Sequence, residues 1–252
     1  MRFASLGSGS RGNALVVEAG GTRVLLDCGF GPRNLALRLA RAGLVPEDID
    51  AILVTHEHAD HLGGVAACAR RYAIDVFMTH GTLGAAALAD VSVAVIDSHT
   101  PFAIGAIQLM PFPVPHDARE PAQFVFSDGA SRLGVLTDAG CVTPHMVEML
   151  SGCDALVLEC NHDMGMLEAG RYPPHLKRRI AGRYGHLDNL AAADLLARID
   201  RSRLRHVVAA HLSQENNTPA LATAALAAVL GCEPGWLAVA DQDNGCAWRQ
   251  VG

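Results

Sequence analysis

Three imidazoles and two carboxylates fall within six residues in the run His56-Glu57-His58-Ala59-Asp60-His61, directly after the apolar stretch Ala51-Ile52-Leu53-Val54. Neutral imidazole and carboxylate are the ordinary ligands of zinc and similar divalent ions, and a strand end followed by a turn aims several of them at one point. The spacing suggests two ions rather than one. His56 and His58 close on the first, while Asp60 and His61, one turn further on, reach a neighbour roughly 3.5–4 Å away. A solvated surface turn has no packing reason to alternate histidines in this way.

Positioning such a run takes strands that end where helices begin, and the apolar pattern predicts them along the whole chain. Short strands over 2–6, 14–18 and 22–26, separated by Gly- and Ser-rich turns, form an opening meander. Helical spacing starts at Asn34. Strand 52–55, a helix from about Leu62, strand 76–79 and a helix from Thr82 follow, then strands over 93–96, 106–110, 123–127 and 133–137. Further on, helix 144–150 precedes strand 155–159, helix 187–199 precedes strand 207–211, and helix 218–230 precedes strand 236–240. No low-complexity linker and no internal repeat divides the chain, so the expectation is one α/β domain over residues 1–252, built as two halves sharing a core.

With half of its 252 residues hydrophobic, the chain can bury a sizeable core. No apolar run reaches membrane-spanning length and no charged leader precedes one, which predicts a cytoplasmic protein without a membrane partner. The seven cysteines are odd in number and scattered without a paired CxxC, as buried reduced thiols would be. A net charge of −6 gives no general attraction to a polyanion. Any such substrate needs a local basic surface or the metals themselves. Lys177-Arg178-Arg179 with Arg183 is one such surface, with a solvated helix face as the alternative.

In α/β folds reactive groups gather at the carboxyl ends of strands. His116 closes the stretch 107–115, Asp138 closes 133–137 and His211 closes 207–210. Each alone could be a capping aspartate or a hydrogen-bonded core histidine, but together they complete two coordination sets. His56, His58 and His116 would hold one ion, Asp60, His61 and His211 the other, and Asp138 would bridge.

The HxHxDH run, a later His, a Thr-Asp-Ala-Gly segment and a late His, in that order, resemble the metallo-β-lactamase fold hydrolases. The resemblance covers the whole chain and implies an αββα four-layer sandwich with a two-ion site along one edge. It also implies that Asp27, at the end of 24–26, steadies the histidines, a turn-forming Asp being the alternative. Finer details are similar to the bacterial YycJ group: Ser8-Gly9-Ser10-Arg11-Gly12-Asn13, Pro115-His116-Asp117, Glu159-Cys160-Asn161-His162-Asp163, Gly185-His186-Leu187-Asp188-Asn189 and His211 through Asn217. Asp188 departs from the Ser more usual there. That resemblance implies metal-dependent cleavage of phosphodiester bonds, in its sharpest form as a 5′ to 3′ DNA exonuclease.

A hydroxide bridging two ions is a nucleophile at neutral pH, because coordination lowers the pKa of water from about 15.7 to about 7. Asp60 would orient it as well as hold a metal. His186, paired with Glu159, would protonate the leaving group, an assignment that rests partly on a similar pair in ribonuclease Z enzymes; the alternative for His186 is a helix N-cap. Ser8, Ser10 and Asn13 in their Gly-rich turn, with Asn161, His162, Asp163 and Asn216, are the candidate substrate contacts, and Asn216 could equally cap the helix that follows. The same hydroxide attacks carbonyls, so a small-molecule phosphodiesterase or an ester, lactone or β-lactam hydrolase is the competing reading. Zinc is the expected metal, with manganese or iron open to the same ligands.

Overall fold

The computed structural model describes residues 1–86 and 88–252. Strands β1 (Arg2–Gly7), β2 (Ala14–Ala19) and β3 (Thr22–Leu26) form the antiparallel meander, and helix α1 (Pro32–Arg41) leads to β4 (Ala51–Leu53). Helices α2 (Ala59–Leu62) and α3 (Val65–Tyr72), strand β5 (Asp75–Thr79), α4 (His80–Ala85) and β6 (Val93–Ile96) complete the first half. The second half runs β7 (Phe102–Ile104), β8 (Ile107–Pro113), β9 (Ala122–Ser127), β10 (Arg132–Leu136), α5 (Pro144–Leu150) and β11 (Ala155–Glu159). Helices α6 (Met164–Ala169), α7 (Pro174–Ile180) and α8 (Asn189–Arg198) precede β12 (His206–Ala210); α9 (Pro219–Leu230), β13 (Ala238–Val239) and β14 (Cys246–Gln250) close the chain.

The strands make two seven-stranded sheets, ordered β14-β1-β2-β3-β4-β5-β6 and β13-β12-β11-β10-β9-β8-β7. Alternation of side chains along each strand explains the layering. Val24 and Leu26 of β3, Phe124 and Phe126 of β9, and Val157 of β11 join one buried cluster between the sheets. Their neighbours Leu25, Val125 and Leu156 face outward. Leu25 packs with Leu35, Leu39 and Val65 of α1 and α3, while Val125 and Leu156 pack with Met146, Leu195 and Leu226 of α5, α8 and α9. Helices therefore cover the outer face of each sheet, giving the four layers of an αββα sandwich.

Several boundaries differ from expectation. The helix after the histidine run begins at Ala59 rather than near Leu62, so Asp60 and His61 lie on a single helical turn. A tight turn at Gly105 (φ 53°) makes a hairpin of β7 and β8 where one strand was expected. β8 continues through Pro111 and Pro113, which pair only with β9 and leave no ladder bond for proline to break on the other side. Residues 234–236 form a 3₁₀ turn starting at proline, so the expected last strand shrinks to Ala238–Val239. α6, α7 and β14 were not expected at all. No helix among the described residues is long and apolar enough to cross a membrane.

Candidate metal centre

β4 ends at Leu53, and the Val54 amide still donates to the Phe77 carbonyl of β5 at 2.9 Å before the chain turns out. Asp27 sets that turn. It follows β3 with φ 60°, a left-handed backbone rare for side chains other than glycine. Its Oδ1 accepts the Thr55 amide at 2.9 Å, both its oxygens lie 3.0 Å from the Thr55 hydroxyl, and its Oδ2 lies 2.8 Å from His61 Nδ1. The Thr55 hydroxyl is in turn 2.9 Å from His56 Nδ1. On the other side of the run, the Cys28 amide donates to the His61 carbonyl and the Asn13 amide to the Asp60 carbonyl. Gly29 is required here because a Cβ would collide with the Asp60 carbonyl.

The second sheet delivers its candidate ligands singly. His116, beyond β8, has Nδ1 at 2.9 Å from the Gly185 carbonyl and Nε2 at 3.3 Å from His58 Nδ1. His211 follows β12, again with a left-handed backbone (φ 54°). Its amide donates to Ser8 Oγ at 2.8 Å, its carbonyl accepts from Asn161 Nδ2 at 3.0 Å, and its Nδ1 lies 3.2 Å from Glu159 Oε1. Asp138, beyond β10, is 1% exposed and stands between the groups, 3.2 Å from His61 Nε2 and 3.3 Å from His211 Nδ1.

Every imidazole of the cluster thus has one nitrogen tied to protein. Nδ1 is held in His56, His61, His116 and His211, and in His58 it is Nε2, 3.2 Å from the Asp117 carbonyl. The opposite nitrogens converge. Donor atoms of His56, His58 and His116 lie within 4.8 Å of one another, as do those of Asp60, His61 and His211, and Asp138 belongs to further groups with His56 and His61 and with Glu159, His186 and His211. Buried polar atoms normally find partners, yet His56 Nε2, Asp138 Oδ2 and His211 Nε2 are buried with none. Two imidazole nitrogens whose rings are fixed from outside through Nδ1, together with a carboxylate oxygen 3.2 Å from His61 Nε2, fit divalent metal ions.

The electrostatics agree. Burial pushes His56 and His116 below the ordinary histidine range, with repulsion from neighbouring imidazoles adding to it. Burial alone would lower His61 and His211 too, but the charge of Asp138, aided by Asp27 in one case and by Asp60 and Glu159 in the other, outweighs it and raises them. Asp138 itself is held well below the carboxylate range, burial being outweighed by His211 and His61.

The centre opens into a cleft of about 400 Å³ lined by His58, Asp60, Asp117, Tyr172, Arg179 and His186 among others. His186 Nδ1 is 2.8 Å from Glu159 Oε1. Glu159 is fully buried, and its Oε2 accepts the amides of Ala139 at 2.9 Å and Leu187 at 3.2 Å. The cap of α8 is Asp188, whose side chain accepts from the Leu190 and Ala191 amides, so His186 is not the cap.

Residues 22–212 match the model of the beta-lactamase superfamily domain. The exodeoxyribonuclease YycJ of Bacillus anthracis is 35% identical over 236 residues, 91% of this chain and 89% of that protein. The chain belongs to the beta-lactamase superfamily. Within it, the exodeoxyribonuclease WalJ of Streptococcus pneumoniae serotype 2 is 34% identical over 230 residues, 88% of this chain and 85% of the relative. The crystal structure of the metallo-beta-lactamase fold protein YhfI from Bacillus subtilis superposes with a TM-score of 0.75, covering 98% of each chain at 14% identity.

Most of the expected substrate contacts of this superfamily member face inward instead. Ser8 holds the His211 amide; Asn13, 4% exposed, turns its Nδ2 onto Asp60 Oδ2 at 3.2 Å; Asn161 holds the His211 carbonyl. Asn216 is buried with its amides on Ser213 Oγ, and Asp163 caps α6. His162 is 1% exposed, its Nδ1 3.3 Å from Asn161 Oδ1. These side chains fix the loops that carry the ligands, because a polar group in a buried loop satisfies backbone before it can offer anything to solvent. Asn216 does not cap α9 either, since Thr218 does. Of that set only Ser10 is exposed and lines the cleft. Thr55, Asp117 and Tyr172 were missed, and Arg179 was expected only as part of a basic surface. The Pro-His-Asp run placed Asp117 beside a ligand, and the basic run placed Arg179 in a surface, but nothing local linked the two.

Proposed function

We propose that this metal-dependent hydrolase cleaves phosphodiester bonds in DNA within the cytoplasm, as a 5′ to 3′ exonuclease using two divalent ions, zinc by preference. The observation that carries the reading is the juxtaposition, in one cleft, of the converging donor set, the Glu159-paired His186 and the guanidinium of Arg179. The names of the two relatives with the same overall extent support DNA as the substrate.

His56, His58 and His116 would hold one ion, Asp60, His61 and His211 the other, and Asp138 would touch both. When bound, the ions supply an activated water and offset the charge of the phosphate. Asp60, fixed by Asn13, would hold an ion and orient water at the site. Glu159 accepts from His186 Nδ1, which leaves Nε2 to hold the proton destined for the leaving oxygen. Arg179, its Nε 2.6 Å from Asp117 Oδ2, offers its remaining donors to a phosphate oxygen.

The test is incubation with end-labelled single- and double-stranded DNA, with RNA, and with bis(p-nitrophenyl) phosphate, adding zinc, manganese and iron(II) in turn. Stepwise release from the 5′ end of DNA, abolished by chelation, is expected. Turnover of the chromogenic ester alone would overturn the exonuclease reading in favour of a small-molecule phosphodiesterase.

A further inference from the structure

Residues 171–183, Arg-Tyr-Pro-Pro-His-Leu-Lys-Arg-Arg-Ile-Ala-Gly-Arg, carry five of the chain's twenty Lys and Arg residues and no acid, in a protein of net charge −6. The segment passes over the metal centre: Tyr172, Leu176, Arg179 and Ile180 line the cleft. Arg171, Arg178 and Arg183 are exposed. Tyr184, 63% exposed, follows at once, so two of the three tyrosines in the chain bracket the basic run.

This segment is bolted to the ligand loops. The Gly185 carbonyl receives His116 Nδ1, the Asp117 amide donates to the Tyr184 carbonyl at 2.9 Å, and Gly140, two residues past Asp138, lies so close to the Arg183 backbone that a Cβ there would collide with it. The backbone at the end of the basic run is therefore tied to the loops that carry the donor atoms. A strand of phosphates flanked by bases is matched by the segment's positive charges and tyrosines, since guanidinium groups track the backbone and aromatic faces accept bases of any sequence. A duplex would hide its base faces from the tyrosines.

Building on the nuclease reading, we propose that residues 171–184 form the binding track for single-stranded DNA, with Arg171, Arg178 and Arg183 holding the phosphates outside the cleft and Tyr172 stacking on the base at its mouth. The test compares the metal-loaded wild type with the triple variants R171A/R178A/R183A and R171K/R178K/R183K, on a 5′-labelled twenty-nucleotide thymidine strand and on bis(p-nitrophenyl) phosphate. The alanine variant is expected to lose at least about tenfold more kcat/KM on the strand than on the small ester, and its binding to have a salt slope shallower by about 2, three lost contacts at about 0.7 each. The lysine variant is expected to recover most of the strand activity. Lys177, the only lysine in the chain, gives a readout in the unaltered protein: the strand should slow its acetylation. Equal losses on both substrates, an unchanged salt slope, or no protection of Lys177 while the wild type still degrades the strand would overturn the track alone. A wild type that neither binds nor degrades it would overturn the nuclease reading and the track with it.

Discussion

The two sheets share one ladder, three antiparallel pairings followed by three parallel ones, but they deliver side chains in different ways. In the first, a single strand end followed by one turn of helix presents His56, His58, Asp60 and His61 together. In the second, His116, Asp138 and His211 each follow a different strand, β8, β10 and β12. Each half also sets one carboxylate behind a histidine. The Asp27 carboxylate stands behind His61 and, among the described residues, otherwise takes Thr55, whereas Glu159 stands behind His211 and additionally takes His186 and two amides. A left-handed backbone recurs at Asp27 and His211, on either side of the centre. On the proposed mechanism this difference is a division of labour: the first half would hold metal, and the second would hold metal and move a proton.

Substitutions can break that division. Asp138 is the point at which the halves meet, and D138A is expected to cost at least about 10³-fold in kcat/KM together with most of the bound metal, measured by kinetics and by metal analysis of folded protein. His186 has no counterpart in the first half. H186A should therefore slow DNA cleavage by about 10²-fold while slowing p-nitrophenyl ester cleavage far less, because that leaving group departs without a proton. Equal losses on the two substrates would remove the proton-moving role.

The paired carboxylates sharpen the contrast at smaller amplitude. D27N and E159Q should each weaken metal binding by about 10- to 100-fold, as loss of a group that fixes a ligand does. Only E159Q should also make the rate depend on the leaving-group pKa, so a series of aryl phosphodiesters separates the two. The smallest expected effect is in pH. Asp138 and the other acidic neighbours raise His61 and His211 against the pull of burial, while burial lowers His56 and His116. Protons compete with metal for the raised pair, so affinity should rise with pH through neutrality, and calorimetry in buffers of different ionisation enthalpy should show proton release.

Legibility in the sequence follows the same contrast. The first run could be read because its donors are neighbours in the chain. His116, Asp138 and His211 could be read because each terminates an apolar strand, and the structure brings all three to that run. The αββα layering was carried by the resemblance, and alternation along β3, β9 and β11 explains it. Ser8, Asn13, Asn161 and Asn216 misled, because a polar side chain in a Gly-rich or Asn-rich loop looks the same whether it faces solvent or a buried carbonyl. α6 buries only Leu167 and α7 buries no residue, so neither shows an apolar face, and the cleft wall with Tyr172 and Arg179 left no mark beyond its charge. Edge strand β14, with Trp248, Arg249 and Gln250, lacks the apolar alternation that marks the inner strands.

The most direct test of a two-ion centre assembled from the two halves is the metal content of purified folded protein, by mass spectrometry of the eluted ions, for wild type, H58A and H211A. Two ions per chain are expected in the wild type and about one in each variant. Fewer than one ion per chain in the wild type, or a single wild-type ion that H58A and H211A both lose, would contradict a two-ion centre.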